Sequence, residues 1–216
     1  RGASEDTPEK KAAALTIAAN ATLSYTGTDA NCDPDGTLLE GKELYDITIT
    51  GVTSANYELT LPAIGMSIKQ KLIVKEDGTP ADGVTITATS ATGTYNAAKQ
   101  LIPATNYSVT YKGAAATVAI NYFNAAAREV GNAVAEDNVK NAAKYYYQIT
   151  GNGNFAGVYT GVTTAVPNGL TWEIEQKDLW VYAVDDTKVY DGTQWAATDL
   201  TFEYSGLEGD DAVTTG

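Results

Sequence analysis

Residues 84–97 read VTITATSATGTYNA, which is a run of alternating apolar and threonine side chains followed by a tyrosine-containing turn. The alternation over Val84 to Ala88 has a period of two, which favours a strand with one face toward a core. A strand-like run also precedes Tyr25-Thr26-Gly27 and Tyr190-Asp191-Gly192. We call Tyr25, Tyr95 and Tyr190 the opening tyrosines, because each follows the first strand-like run of a predicted module. They are 95 − 25 = 70 and 190 − 95 = 95 residues apart. This irregular spacing predicts an array of diverged small modules, because a solenoid would keep one fixed period.

The tyrosine turns have a physical explanation that needs no ligand. The third residue of each turn is Gly27, Ala97 or Gly192. Glycine permits the positive φ of a tight turn after a strand. The tyrosine before it is predicted to cover the end of a small core and to return its hydroxyl to the backbone. We therefore interpret these turns as fold-specifying elements and not as binding sites.

A second motif closes the modules. Ile49-Thr50-Gly51 precedes Asn56-Tyr57, and Ile149-Thr150-Gly151 precedes Asn154-Phe155. The turn at Tyr190 is not followed by a closing motif, so we expect a half-module there. The start at Arg1 suggests a piece of a longer protein. The landmarks predict five parts: an N-terminal extension over 1–14, a first β module over 15–75, a linker over 76–83, a second β module over 84–176 and a partial third module over 177–216.

The predicted fold class is mostly β, built of tandem small β-rich domains that are either β-grasp-like or immunoglobulin-like sandwiches. The segment 124–135 disagrees with this pattern, since Ala126, Val130 and Val134 have helical spacing and Asn124 suits a helix N-cap. It is predicted to be either one short helix or an irregular crossing loop. The predicted strands, besides Val84 to Ala88, are Leu15 to Ile17, Tyr45 to Thr50, Tyr57 to Leu61, Met66 to Val74, Tyr107 to Tyr111, Thr117 to Phe123, Tyr145 to Thr150 and Leu179 to Val184.

Composition excludes several function classes. The formal net charge is −13, which disfavours nucleic acid and anionic membrane surfaces, and no apolar run is long enough for membrane insertion. There is no histidine, which removes the commonest general base and transition-metal ligand. Cys32 is the only cysteine, so an intramolecular disulfide is excluded and a passive apolar position is expected. We predict that the chain is not an enzyme.

Calcium is the best chemical candidate. The metal candidates are Asp29, Asn31, Asp33 and Asp35, with Glu40 nearby and Gly36 after the last of them. Alternating oxygen side chains that end in Asp-Gly can wrap a hard cation. An EF-hand register fails, however, because it puts Pro34 at the glycine position or Lys42 at the glutamate position. The alternative is a solvated turn, since Asp, Asn, Pro and Gly are turn residues.

The tryptophans give a second ligand hypothesis. Trp172, Trp180 and Trp195 lie in the C-terminal part of the chain and could stack on a sugar or a partner protein. Both faces of Leu179 to Val184 are apolar, which predicts burial of this strand instead.

Two motifs carry a family resemblance. Val-Tyr-Asp-Gly-Thr at 189–193 and Gly-x-x-Gly-Asp-Asp-Ala at 206–212 resemble the first half of a YDG-type repeat, which belongs with the MBG-like repeats of large bacterial surface proteins. The segment 54–59 and the ending at 146–157 are similar to the second half of such repeats. The resemblance implies a secreted, extracellular cell-surface protein whose modules form a structural or adhesive stalk, with its signal and anchor outside this chain. It supplies no catalytic residues and no cofactor.

The binding partners that the resemblance implies are neighbouring repeat modules of the same chain. Self-association through the partial third module is a further expectation, because two strands alone are marginally stable. The alternative function is an adhesin module that recognises a glycan or a host protein.

Overall fold

The computed structural model describes residues 22–50, 65–185, 187–194 and 202–213. The mostly β fold class is confirmed, because the helical pieces in these ranges are 3₁₀ turns at Ala104–Asn106, Val130–Asn132 and Glu136–Asn138. The strands are β1 (Thr22–Tyr25), β2 (Tyr45–Thr50), β3 (Gly65–Met66), β4 (Lys71–Leu72), β5 (Val84–Ala88), β6 (Ala91–Thr94), β7 (Tyr107–Tyr111), β8 (Ala114–Ala115), β9 (Val118–Phe123), β10 (Ala133–Val134), β11 (Ala143–Gly151), β12 (Phe155–Ala156), β13 (Val158–Tyr159), β14 (Thr171–Glu175), β15 (Trp180–Ala183) and β16 (Phe202–Ser205).

Some predicted features lie outside the described residues. These are the extension over 1–14, the strands at Leu15 to Ile17 and Tyr57 to Leu61, the motif Asn56-Tyr57 and the side chain of Trp195.

The chain divides into two compact units. Unit 1 comprises residues 1–72 and 151–157, and unit 2 comprises residues 73–150 and 158–216. The division after Leu72 lies close to the predicted module end at residue 75. The segment 151–157 was assigned by sequence to the second module, but it belongs to unit 1.

Unit 1 contains an antiparallel sheet in the order β1-β2-β3. Tyr25 lies opposite Ile47 and Tyr45 lies opposite Met66. A second, parallel pair joins β12 to β4, with Phe155 opposite Lys71. Cys32 is fully buried and bridges to both Leu38 and Lys69, which ties the loop after β1 to the approach to β4.

The largest sheet of unit 2 runs β10-β9-β11-β14-β6, and β13 also pairs with β11. Alternation along β11 buries Tyr145, Tyr147 and Ile149, as the period of a strand requires. The neighbouring β14 buries Trp172 and Ile174. Buried polar atoms are satisfied locally: the Tyr147 hydroxyl donates to the Thr89 carbonyl at 2.8 Å, and the Trp172 indole N–H donates to the Gln100 carbonyl at 2.7 Å.

Two strand pairs in unit 2 have the same cross-strand register. In the first pair, β5 and β7 place Thr85 opposite Thr110 and Thr87 opposite Ser108. In the second pair, β15 and β16 place Trp180 opposite Ser205 and Tyr182 opposite Glu203. Every partner is displaced by the same amount, since 180 − 85 = 95 and 205 − 110 = 95. The offset equals the 95-residue separation of Tyr95 and Tyr190. The two strand pairs and the two tyrosine turns therefore share one offset along the sequence.

The predicted short helix over 124–135 is wrong, and the crossing loop is observed. The Asn124 N–H donates to the Asn132 carbonyl at 2.9 Å, which closes the segment as a loop around a 3₁₀ turn. Val130, expected on the buried face of a helix, is 94% exposed. Arg128 has φ 51°, outside the helical region.

The guanidinium of Arg128 holds this loop in place. It donates to the carbonyl oxygens of Tyr147, Ala126, Asn168 and Leu170 at 2.7 to 3.3 Å. Burial lowers the pKa of Arg128 from its ordinary value. Backbone carbonyls therefore replace water around this partly buried cation, and they offset the left-handed backbone conformation.

The segment 76–83, expected as a linker, contains a hydrogen-bonded turn. The Lys75 N–H donates to the Thr79 carbonyl at 2.8 Å, and the Ala81 N–H donates to the Ile73 carbonyl at 3.0 Å. Ala81 is buried, and Lys75 forms an ion pair with Asp82 at 2.8 Å. Asp-Gly-Thr-Pro is thus the tip of a hairpin, in keeping with the turn preferences of these residues.

Candidate functional site

The predicted calcium loop is held by hydrogen bonds within the protein. Asn31 is fully buried, and its amide group donates to the carbonyls of Glu43 and Met66 at 2.9 and 3.1 Å. Its side-chain oxygen accepts from the Ile68 N–H at 2.7 Å. Each atom of this amide has a backbone partner, so Asn31 joins three chain segments without a cation.

The acidic members of the loop make separate contacts. Asp33 Oδ1 accepts from the N–H groups of Gly36 and Thr37, both at 2.8 Å, which is an Asx-type turn. Asp29 Oδ1 accepts from Asn154 Nδ2 at 3.0 Å, and the Asp35 carbonyl accepts from the Lys69 ammonium at 3.0 Å. Within the described ranges, no three Asp, Glu, His or Cys side chains are grouped so that they could hold a metal ion. The hydrogen bonds favour the turn alternative, and calcium binding stays a prediction.

Asn154 is the central residue of a contact that sequence reasoning did not assign. Its side-chain oxygen accepts from the Ala30 N–H at 2.7 Å, and its carbonyl accepts from the Lys71 N–H at 2.9 Å. The Gln70 amide donates to the carbonyls of Gly153 and Phe155 at 2.7 and 3.3 Å. The closing segment therefore adds β12 to the edge of β4 and satisfies the backbone of the buried loop at Ala30. The recurrence of asparagine in the closing motif was the available signal.

The three opening turns use their third residue in different ways. Gly192 has φ 80°, as the glycine argument predicts, and Ala97 has φ 60° although it carries a side chain. At Gly27 the constraint is space, because an added Cβ would lie 2.0 Å from the Tyr45 ring. The turns at Tyr95 and Tyr190 share one more feature: the side-chain oxygen of Asn96 accepts from the Ala98 N–H at 3.0 Å, and that of Asp191 accepts from the Thr193 N–H at 2.9 Å.

The predicted role of the opening tyrosines needs correction. Tyr190 is 94% exposed and does not cover a core. The Tyr95 hydroxyl donates to the carboxylate of Asp211 at 2.8 Å and not to a backbone carbonyl. This hydrogen bond is the first cause that raises the pKa of Tyr95, followed by burial and the negative charges of Asp211 and Glu208. Tyr95 is thus a contact residue for the segment 206–211, which we call the acidic loop.

The acidic loop has three further points of contact in unit 2. Glu208 forms an ion pair with Lys177. Gly206 has φ 112°, and a Cβ there would lie 2.5 Å from the Asp178 carbonyl oxygen. Gly209 lies against Ala97, where an added Cβ would be 2.9 Å from the alanine Cβ. Both glycines of Gly-x-x-Gly-Asp-Asp are therefore required by backbone conformation and close approach.

The tryptophans separate into different environments. Trp172 is buried in the large sheet, whereas Trp180 is 62% exposed, so the predicted burial of its strand is wrong. The physical reason is that β15 and β16 form a two-stranded sheet with no further strand beside it among the described residues. Both faces of this pair are open to solvent.

A groove of about 540 Å³ lies beside β9 in unit 2. Its titratable lining groups are Tyr122, Arg128 and Glu136. Burial raises the pKa of Tyr122 to about 12, and its hydroxyl oxygen accepts from the Ile102 N–H at 2.9 Å. Since Arg128 is occupied by carbonyl oxygens, the groove brings together no acid and base pair of the kind catalysis requires.

No family model, curated protein or solved structure matches this chain.

Proposed function

We propose that this chain is a non-catalytic structural or adhesive repeat region, acting as a stalk or spacer in a secreted bacterial cell-surface protein. The observation that carries the proposal is the strand register repeated at an offset of 95 residues in β5 with β7 and β15 with β16. A repeated strand pair and a repeated turn are what a tandem array of modules contains. The resemblance of 189–193 and 206–212 to YDG-type repeats is what supports the proposed cell-surface location.

The contacts support a mechanical role. Residues distant in sequence are joined by backbone hydrogen bonds at three places: β12 on β4, β6 on β14 and the loop of Asn31. Such pairings resist extension because several hydrogen bonds must break together. In the described residues no helix is long and apolar enough to span a membrane.

Single-molecule pulling of the full chain between flanking marker domains tests the spacer proposal. We expect separate force peaks for the two compact units, with contour lengths that account for their residues. A chain that extends smoothly, without a force peak, would contradict the proposal that this region resists extension as a spacer.

The alternative, an adhesin module, is favoured by one specific observation. Cross-strand partners share a face, so Trp180, Tyr182, Glu203 and Ser205 lie on one side of the β15 and β16 pair. The equivalent positions of the second module are Thr85, Thr87, Ser108 and Thr110, and the opposite face buries Val84 and Val109. Trp180 and Tyr182 thus correspond to positions that face away from the core in the second module.

A glycan array tests this alternative. Saturable binding by the full chain that is lost in the Trp180→Ala, Tyr182→Ala double variant would favour the adhesin. The matched control is the Thr85→Ala, Thr87→Ala double variant, which changes the equivalent face of the second module. Glycan binding that persists in the Trp180→Ala, Tyr182→Ala variant would show that this face is not the binding site.

A further inference from the structure

The acidic loop and the Tyr95 turn form a contact with three components. The Tyr95 hydroxyl donates to Asp211 Oδ2 at 2.8 Å, Lys177 pairs with Glu208, and Gly209 allows the loop to approach Ala97. The loop follows β16, a strand of the third module, while the turn follows β6 of the second module. The contact therefore joins one module to the opening turn of the module before it.

The turn at Tyr190 is a structural copy of the turn at Tyr95. Asn96 and Asp191 each accept a hydrogen bond from the N–H two residues later, at 3.0 and 2.9 Å. The residues between, Ala97 and Gly192, have φ 60° and 80°. The strand pairs that flank the two turns, β5 with β7 and β15 with β16, have the same register at the 95-residue offset. The two tyrosines consequently occupy equivalent places.

The two turns differ in what covers them. Tyr95 is half-buried and its hydroxyl donates to the acidic loop, whereas Tyr190 is 94% exposed and its hydroxyl has no hydrogen-bond partner among the described residues. Asp191 introduces a negative charge where Asn96 is neutral, but the Lys188 ammonium lies 3.1 Å from that carboxylate. The cation offsets the charge and leaves the turn able to receive an acidic partner.

We propose that the Tyr190 turn is the docking site for the acidic loop of the module that follows it in the tandem array. The occupant is a Gly-x-x-Gly-Asp-Asp loop that presents a carboxylate to the Tyr190 hydroxyl, as Asp211 does to Tyr95. The inference rests on the proposed tandem-repeat function and adds the contact that joins successive modules. A hydrogen bond from a hydroxyl to a carboxylate is among the stronger polar contacts, which suits a joint between small domains.

A peptide with the sequence of residues 202–213, blocked at both ends, serves as the probe. The full chain carries ¹³C-labelled tyrosine, and Tyr190→Phe identifies the Tyr190 ring signal by its loss. The peptide is added to about 5 mM, because flexible tethering gives contacts within one chain an effective concentration on the order of millimolar. We expect the Tyr190 signal to shift with saturation while the Tyr182 signal stays in place. A peptide with Asp211→Asn and Glu208→Gln should leave Tyr190 unmoved.

A second variant makes a negative result interpretable. Asp211→Asn in the full chain releases Tyr95, and the unmodified peptide should then shift the Tyr95 signal. Peptide binding at Tyr95 alone, or at neither tyrosine, would overturn the proposal. A Tyr190 shift that appears on raising the chain concentration without peptide, and that survives Asp211→Asn, would also overturn it and assign the turn to a second copy of this chain. None of these outcomes changes the force peaks expected in the single-molecule pulling experiment. The spacer proposal is therefore tested independently of the docking proposal.

Discussion

The side-chain oxygen of Asn154 accepts a hydrogen bond from the backbone N–H of Ala30 at 2.7 Å, although the two residues are 124 positions apart. Ala30 is buried, so its N–H has no access to water as a substitute partner. The contact gives the closing motif a physical role: its asparagine satisfies the backbone of a loop that lies in unit 1, far earlier in the sequence.

Asn154→Ala should destabilise unit 1. The substitution leaves the Ala30 N–H without its acceptor, and an unsatisfied buried donor costs about 1–3 kcal/mol. Chemical denaturation followed by a probe in unit 1 measures the loss. The matched control is Asn141→Ala, because the Asn141 side chain is exposed, and it should change stability by less than about 0.5 kcal/mol. Equal effects of the two substitutions would contradict the role given to Asn154.

Ala97→Gly should stabilise the protein. Ala97 has φ 60°, a conformation that costs an L-residue roughly 1–2 kcal/mol and costs glycine little. After the loss of backbone entropy, the expected gain is about 0.5–1 kcal/mol. Thermal unfolding measures it, and Ala98→Gly is the control that should be neutral or destabilising, because Ala98 is not in the left-handed region. A lower melting temperature for Ala97→Gly would show that the contact of its methyl group with Gly209 outweighs the strain.

The comparison of sequence with structure separates local from non-local information. Tyr45 to Thr50, Val84 to Ala88 and Tyr107 to Tyr111 were predicted with their observed bounds, because alternation and turn residues determine a strand locally. The exposure of Trp180 could not be predicted in this way, since an apolar strand is buried only if another element covers it. The same holds for segment 151–157, whose partner strand β4 lies far away in sequence.

The same difference between local and non-local information applies to the candidate site residues. The turn at Asp33 was visible in the composition of its loop, but the burial of Asn31 and its three backbone partners depends on residues 43, 66 and 68. The helix expected over 124–135 failed because three of the four carbonyls that Arg128 contacts, at residues 147, 168 and 170, lie in segments that its own sequence does not specify. Alanine propensity is a weak preference that tertiary contacts override.

The carboxyl groups of the Asp-Gly-Thr turns should titrate below their ordinary range. The Thr79 hydroxyl and N–H donate to Asp77 Oδ1 at 2.6 and 2.9 Å, and the hydroxyl bond is the first cause that lowers the pKa of Asp77. A lowered folded-state pKa contributes stability above the unfolded-state value of about 3.9, and that contribution is lost as pH falls through the folded-state pKa. Thr79→Val should raise the pKa toward 3.8, the ordinary value, as measured by carboxyl ¹³C titration.

Thr85→Val is the matched control for that titration. Thr85 is an exposed strand residue that is not in contact with the turn, so the pKa of Asp77 should stay in place. An Asp77 titration that is the same with valine or threonine at position 79 would contradict the assigned cause.

The turn alternative to the predicted calcium site predicts that calcium at millimolar concentration leaves the melting temperature unchanged. Asn31 is saturated by backbone partners, and Asp29 and Asp33 accept hydrogen bonds from Asn154 and from Gly36 and Thr37. A ligand specific for the folded state would raise the melting temperature by mass action. A rise with calcium that is absent with chelator, and absent in Asp33→Asn, would establish the predicted metal site at Asp29, Asn31, Asp33 and Asp35.

The cross-strand register of β15 and β16 gives the most direct test, because the proposed tandem array rests on its identity with the register of β5 and β7. Directly opposite residues in an antiparallel pair have Cα atoms about 4.5–5.5 Å apart and give strong interstrand nuclear Overhauser effects. We predict matching interstrand nuclear Overhauser effects for Thr87 with Ser108 and for Tyr182 with Glu203, which are displaced by 95 residues. A pattern that places Tyr182 opposite Phe202 or Tyr204 would shift the register by one residue, reverse the faces of the strand and contradict the repeat.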